Sequence, residues 1–179
     1  AIMNVLEPIW VSTFTAETYS CIKNRGIHAA AKKVKQALRE DPEGTTFCLK
    51  LDIRKFYPSI NHDVLKSILR RKLKDKRLLR LLDEIIDSAD GVPIGNYLSQ
   101  YFANLYLTYF DHWIKEQKRV KHYFRYADDI VILASDKSYL HSLMGEIRAY
   151  LGDLKLEVKG NWQVFPVAAR GIDFVGYVF

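Results

Sequence analysis

From Tyr123 to Leu133 the chain reads Tyr-Phe-Arg-Tyr-Ala-Asp-Asp-Ile-Val-Ile-Leu, two β-forming runs joined by adjacent carboxylates. Runs this apolar belong inside a protein, and the aspartates between them turn the chain back on itself, so the segment predicts a buried hairpin within Lys121–Leu133. Alone, it is also compatible with a plain hairpin, since Asp is an ordinary turn residue. However, two like charges side by side repel, and a divalent cation would resolve the repulsion. Strand alternation sends neighbouring side chains to opposite faces, so one of Asp128 and Asp129 should dominate any coordination.

The rest of the chain is organised around that hairpin. Thr45–Ile53 is short, apolar and β-branched, which predicts a buried strand. Ala29, Ala30, Val34, Ala37 and Leu38 make an apolar stripe that predicts a helix over 17–40, ended by the turn cluster Asp41-Pro42-Glu43-Gly44. Ser59 or Asn61 can cap a helix reaching about Lys74, and a second helix covers about Lys76–Ser88. Ala89–Asn96 is a loop, 97–118 a long aromatic-rich helix, and 137–152 another helix. Short strands are expected at 154–158, 162–167 and 172–178. Interspersed helices and hairpins point to an α+β domain.

Of the 179 residues, 49% are hydrophobic and 27% charged, which excludes a disordered chain, and the net charge of +6 favours a polyanionic partner. Cys21 and Cys48 have no metal-ligand spacing and build no disulfide framework, which fits a reduced, cytosolic setting. No apolar run reaches the ~20 residues of a membrane span, and the N-terminus has no secretory pattern. The absence of an initiator methionine suggests a trimmed chain, and the strand-like ending at Phe179 suggests a missing C-terminal portion.

Two more segments carry chemistry. In Leu49-Lys50-Leu51-Asp52-Ile53-Arg54-Lys55-Phe56-Tyr57-Pro58, an aspartate ends an apolar strand, where it needs a cation or hydrogen-bond donors; capping the following turn is the plainer role. In Gly91-Val92-Pro93-Ile94-Gly95-Asn96-Tyr97-Leu98-Ser99-Gln100, glycines allow a backbone to approach a ligand before a helix N-terminus.

In this order, the three segments resemble the palm of reverse transcriptases. Tyr126-Ala127-Asp128-Asp129 is similar to the family's Tyr-x-Asp-Asp box and Asp52 to its first catalytic aspartate. Arg25-Gly26-Ile27-His28 resembles a fingers motif of bacterial enzymes, and Gly171–Tyr177 resembles the hairpin that grips the primer end, with Phe174, Val175, Gly176 and Tyr177 at its centre. The likeness runs from about Tyr19 to Phe179. It implies right-hand polymerase fingers (approximately 1–45 and 58–96) and palm (approximately 46–57 and 97–179) in one core, an antiparallel palm sheet packed on helices, and no thumb.

Further expectations follow from the resemblance. Activity is RNA-directed DNA synthesis on an RNA template and DNA primer, using deoxynucleoside triphosphates, with an accessory protein left open and no membrane. Localisation is cytoplasmic, in a bacterial or phage-encoded setting. Two Mg²⁺ ions, with Mn²⁺ as a substitute, would be held by Asp52, Asp128, Asp129 and the backbone carbonyl of Ile53. Lys23, Arg25, Lys55, Phe56, Tyr57, Ile94, Gly95 and Lys159 are the nucleotide-site candidates. Tyr57 matches a steric gate against the ribose 2′-hydroxyl, though it is otherwise an ordinary core aromatic, while Phe56 should point into the core. Lys159 matches a lysine near the leaving pyrophosphate; Lys23, Arg25 and Lys159 are each equally readable as solvated surface cations.

The third motif departs from the Pro-Gln-Gly and Ser-Pro of group II intron and retron enzymes. Pro93-Ile94-Gly95 with Ser99-Gln100 resembles the enzymes of diversity-generating retroelements, which copy with errors at adenines. The basic tract Lys66, Arg70, Arg71, Lys72, Lys74, Lys76, Arg77 and Arg80 is either a solvated face or in part a phosphate contact, and the aromatic residues of 97–113 read mostly as core. A non-catalytic nucleic-acid-binding module would not need three carboxylates. The Tyr57 gate and the Gly171–Tyr177 hairpin argue against a palm-type RNA polymerase or a nucleotide cyclase, and a metal-dependent nuclease would not need the Ile94 loop or the primer-grip segment.

Overall fold

A computed structural model describes residues 2–92 and 97–179. In chain order its elements are α1 (Ile2–Val11), β1 (Thr18–Tyr19), α2 (Ile27–Glu40), β2 (Phe47–Asp52), α3 (Phe56–Ser59), α4 (His62–Lys72), α5 (Lys76–Asp87), α6 (Tyr97–Tyr106), α7 (Thr108–His112), β3 (His122–Tyr126), β4 (Asp129–Ala134), α8 (Lys137–Asp153), β5 (Gln163–Pro166), α9 (Val167–Arg170), β6 (Asp173–Phe174) and β7 (Tyr177–Val178). Strands β1 to β5 form a mixed α+β core sheet in the order β1-β3-β4-β2-β5, antiparallel apart from a parallel β1–β3 edge. Strands β6 and β7 form a separate two-stranded hairpin.

Alternation along β2 and β4 divides the core in two. Leu49, Leu51, Ile130 and Ile132 pack with α1, α6 and α8 residues such as Trp10, Phe102 and Ile147. Cys48, Val131 and Leu133 point the other way and meet Ala30 and Val34 of α2, with Phe174 of the hairpin. Asp52 shares the second face with Cys48, the face on which α2 and the β6–β7 hairpin pack. Helix starts follow capping chemistry: Asn61 accepts from the Val64 N–H, Asp75 from those of Arg77 and Leu78, and Asp136 from that of Ser138.

Several boundaries differ from the expectation. The helix expected over 17–40 starts only at Ile27. Before it, Thr18 and Tyr19 are buried as an edge strand opposite Arg125 and Tyr126, and the chain reaches Gly26 through left-handed residues Ser20, Cys21 and Asn24. The apolar stripe begins at Ala29, so the preceding residues had no helical face to bury. The 97–118 helix is broken at Leu107 (φ −100°, ψ 1°) and closes in a π-helical turn, Trp113–Gln117, because Thr108 bonds back to the Thr13 carbonyl and Asp111 is drawn inward. Residues 154–158 form no strand: Lys155 is left-handed and only Val158 bridges to Ile53. The strand expected over 162–167 is β5 alone, with Val167 already helical, and that over 172–178 is folded about Val175 and Gly176 into β6 and β7. Among the described residues no helix is long and apolar enough to cross a membrane.

Candidate active site

Register brings the carboxylates together. β2 and β4 pair so that Asp52 lies directly opposite Asp129. Between β3 and β4 the chain reverses at Ala127, a non-glycine residue at φ 53°, and Asp128 lies at the tip. Its backbone carbonyl accepts the Ile53 N–H at 3.2 Å, tying the tip to the end of β2, and the Lys159 N–H binds the Asp52 carbonyl at 2.9 Å. Residues 76 positions apart are thereby held by main-chain bonds on both sides.

Asp52 and Asp129 line a cleft of about 580 Å³ whose far wall is the β6–β7 hairpin, including Val175 and Gly176. Lys50, one strand period before Asp52, projects into the same cleft. Its ammonium pairs with Asp129 Oδ1 and lies 5.4 Å from the Phe174 ring centroid. Burial, reinforced by the charges of Asp52 and Asp128 and opposed by Lys50, pushes the Asp129 carboxyl up to about 6. Burial also raises Asp128, with the Asp52 charge adding to it, against its own backbone N–H and the charges of Lys159 and Lys50. Oxygen donors that destabilise each other's charge in this way match the chemistry of hard divalent cations. Among the described residues no three such side chains are gathered about one point, and Lys50 supplies the positive charge at Asp129.

Other sequence candidates fall around this centre to different degrees. Phe56 is buried, 2% exposed. Tyr57 is half-buried with its ring 5.6 Å from that of Phe56. Its phenol is raised first by burial and also by nearby charges that include Asp128. The Tyr57 carbonyl accepts the Val92 N–H at 3.0 Å, which seats the Gly91 loop on it. A Cβ at Gly91 would approach that carbonyl oxygen to 2.5 Å. Lys55 is exposed and left-handed (φ 44°). Lys159 is exposed, with its charge acting on Asp128.

Neither Lys23 nor Arg25 lines the carboxylate cleft; Arg25 donates to the Thr15 carbonyl at 2.9 Å. Tyr177 faces away from the cleft and its hydroxyl meets His28 Nδ1 at 3.1 Å. Ile94 and Gly95 lie outside the described residues. The basic tract is partly spent at home, with Lys66 on Asp87, Arg70 on Asp83 and Arg71 stacked on Tyr109.

Sequence reasoning missed the support beneath the turn. Arg125 and Asp111 are both fully buried and joined by two parallel bonds, Nε–Oδ1 at 2.7 Å and Nη2–Oδ2 at 2.6 Å. Tyr123 and Thr18 hydroxyls also donate to Asp111, at 2.5 and 3.1 Å. The free arm of Arg125 donates to the Ala127 carbonyl at 2.9 Å and to Asn104 at 3.2 Å, so the guanidinium braces the turn that presents Asp128. A lone aspartate inside the apolar helix around Phe110 was the available signal for Asp111, and alternation back from Asp52 was the signal for Lys50.

A family model described as reverse transcriptase (RNA-dependent DNA polymerase) matches residues 1–179. Protein YkfC of Escherichia coli strain K12 is 25% identical over 222 aligned residues, covering 99% of this chain and 58% of that protein. The group II intron-encoded protein LtrA of Lactococcus lactis subsp. cremoris is 24% identical over 129 residues, covering 66% of this chain and 21% of that one. Among solved structures, telomerase from Candida tropicalis in complex with a TWJ fragment of telomeric RNA superimposes with a TM-score of 0.74 at 14% identity, covering 99% of this chain and 35% of that one, a likeness of fold. The chain thus spans little more than half of YkfC and about a fifth of LtrA.

Proposed function

The chain belongs to the reverse transcriptase (RNA-dependent DNA polymerase) family, and from that premise we propose that it is the fingers-and-palm core of an enzyme that extends a DNA primer on an RNA template. The observation that carries the proposal is the register that sets Asp52 against Asp129 in a cleft walled by the β6–β7 hairpin, with Asp128 at the adjoining turn. In this reading the fingers comprise approximately 1–45 and 58–96, and the palm approximately 46–57 and 97–179.

Asp52, Asp128 and Asp129, with the Ile53 carbonyl, would hold two Mg²⁺ ions, for which Mn²⁺ could substitute. Bound there, the metal supplies Lewis-acid stabilisation of phosphoryl charge and a more acidic primer 3′-hydroxyl. The protein's own contributions are positional. The hairpin residues Val175 and Gly176 line the cleft with the carboxylates and would seat the primer end, with Phe174 buried beneath them in the core. Tyr57, held by Phe56 and the Val92 N–H, would fill the space of a ribose 2′-hydroxyl. Lys159, tied beside Asp52 through its backbone, would give its Nζ proton to the departing pyrophosphate oxygen.

The test is primer extension on RNA and DNA templates with deoxy- and ribonucleotides compared. Metal-dependent incorporation of deoxynucleotides that Asp128→Asn abolishes, with template binding retained, supports the proposal. Template binding with no synthesis by the parent under any metal would leave a non-catalytic relative.

The finer proposal is a diversity-generating retroelement enzyme that miscopies adenines. It is supported by Pro93-Ile94-Gly95 and Ser99-Gln100, because an aliphatic Ile94 has no directional bond to offer a nucleotide. Ile94→Gln should then lower errors, most at template adenines; an unchanged error spectrum in sequenced products refutes it. The likeness to LtrA favours a group II intron-like enzyme as the second reading.

A further inference from the structure

The loop that opens at Gly91 is held from two sides. On one, the Val92 N–H donates to the Tyr57 carbonyl of α3 at 3.0 Å, and Gly91 sits so close that a Cβ there would lie 2.6 Å from the Pro58 carbonyl oxygen. On the other, His62, the first residue of α4, brings Nε2 to 2.8 Å from the Gly91 carbonyl oxygen. Among the described residues no other hydrogen bond reaches that oxygen. His62 Nδ1 lies 3.3 Å from Asp87 Oδ1 of α5. The imidazole is therefore seated between a carbonyl and a carboxylate, and both of those oxygens only accept hydrogen bonds. Its place is fixed from behind: Asn61 caps α4 at the Val64 N–H and gives its own N–H to the Tyr106 hydroxyl at 3.3 Å.

We propose that His62 is a positioning residue for nucleotide selection: its imidazolium clamps the Gly91 loop to α5 and so holds Tyr57 in place against an incoming sugar. The inference rests on the polymerase reading and deepens it. A neutral imidazole carries one N–H and one lone pair, so it satisfies one oxygen and turns a lone pair on the other. Only the doubly protonated ring bonds both, which makes the clamp tight in acid and loose once a proton leaves. The charged groups facing the ring are Asp87 and Lys66, whose ammonium donates to both Asp87 oxygens at 2.7 Å. That bond, with the His62 charge added, holds the Asp87 carboxyl below its ordinary value, so Asp87 stays ionised while the ring titrates. Asp63 on α4 and Asp90 in the loop are exposed, and among the described residues neither pairs with His62. On α6 the Tyr106 hydroxyl is occupied by the Asn61 N–H and the Leu154 carbonyl. The path to the chemistry is short. Gly91 and Val92 bear on the main chain at Tyr57 and Pro58, and the Tyr57 phenol, raised first by burial, is raised also by the Asp128 charge.

Two measurements on the 179-residue chain test the clamp. Amide ¹H–¹⁵N and ring ¹³C spectra are followed from about pH 5.5 to about pH 8.5, the range in which imidazoles change charge. The Gly91 and Val92 amide signals should move in one titration with the His62 ring, and should stand still in His62→Gln. Amide signals that do not follow the ring, or a ring that keeps one charge state throughout, overturn the proposal. Single-nucleotide incorporation on a primer–template then compares kcat/KM for deoxy- and ribonucleotides, a ratio that cancels shared titrations such as that of the Asp129 carboxyl. In the parent the preference for deoxynucleotides should fall about fivefold between about pH 6 and about pH 8, the factor set by one net hydrogen bond. His62→Phe should show the lower preference at both values, through KM rather than kcat. His62→Gln, whose amide N–H still reaches the Gly91 carbonyl, should keep the higher preference at both. Equal preference at the two pH values in the parent, or a glutamine variant no better than phenylalanine, overturns the proposal. If the ring and the amides titrate together but the parent extends no primer, the polymerase reading fails and the clamp on the loop stands.

Discussion

Asp111→Asn is an isosteric change that removes one charge from the centre of the molecule. Asp111 and Arg125 have no solvent exposure, and the carboxylate receives two guanidinium bonds as well as the Tyr123 and Thr18 hydroxyls. Asparagine fills the same volume, so cavity formation contributes little. The cost comes from a guanidinium buried without its counter-charge, for which about 3–5 kcal/mol is the usual range. Asparagine keeps one acceptor oxygen, which places the expected loss near the bottom, about 3 kcal/mol. With a urea dependence of about 2 kcal/mol/M, the unfolding midpoint should fall by about 1.5 M. Replacing both partners, as Asp111→Leu/Arg125→Met, should recover most of this because no charge is left stranded. The double variant should still be impaired in primer extension, since the bond from Arg125 to the Ala127 carbonyl is gone. A midpoint shift below about 0.5 M for Asp111→Asn, or a double variant no more stable than the single, would refute the reasoning.

Gly91→Ala forces a Cβ to 2.5 Å from the Tyr57 carbonyl at a position with φ +61°, so it should cost at least about 1–2 kcal/mol and lower Tm by about 3 °C or more, with ribonucleotides admitted more readily; a Tm within about 1 °C of the parent refutes it. Hydrogen bonds from Lys121, then His122 and the Gly44 N–H, hold the Asp41 carboxyl well below its ordinary value. Because that folded value is depressed, the stabilisation is present above the unfolded pKa near ~3.9 and is lost as pH falls through the folded one. Asp41→Asn should therefore lower Tm at pH 7, with the gap to the parent narrowing below about pH 4; a gap independent of pH would contradict this assignment. Lys50→Met removes the ammonium that competes with cations at Asp129, and terbium luminescence should report roughly tenfold tighter metal binding or more; equal affinity would mean that Lys50 does not contest the site.

The parts legible in the sequence were those whose signal is local. Short runs rich in apolar and β-branched residues in Thr45–Ile53 and Tyr123–Leu133 located β2, β3 and β4, and adjacent acids between apolar runs marked the turn. Asn61 and the turn at Asp41 marked where helices begin and end for the same reason. The strand Thr18–Tyr19 was not legible, because two residues carry no periodicity and their pairing depends on Arg125, more than a hundred positions away. The break at Leu107 was hidden by helix-forming neighbours; it exists because Asp111 must reach Arg125. Lys50 at Asp129 and the bracing of Ala127 are tertiary facts, decided by which strands lie side by side.

The opposition of Asp52 and Asp129 has a consequence for how such chains can diversify. Side chains in β2 alternate between apolar packing and cleft chemistry with a period of two. Adding or deleting one residue inside Phe47–Asp52 would carry a carboxylate into the hydrocarbon interior and deliver Leu51 to the carboxylate cleft. Length variation among descendants of this fold should therefore be barred from β2 and accumulate instead in connections away from the cleft, such as that between α4 and α5.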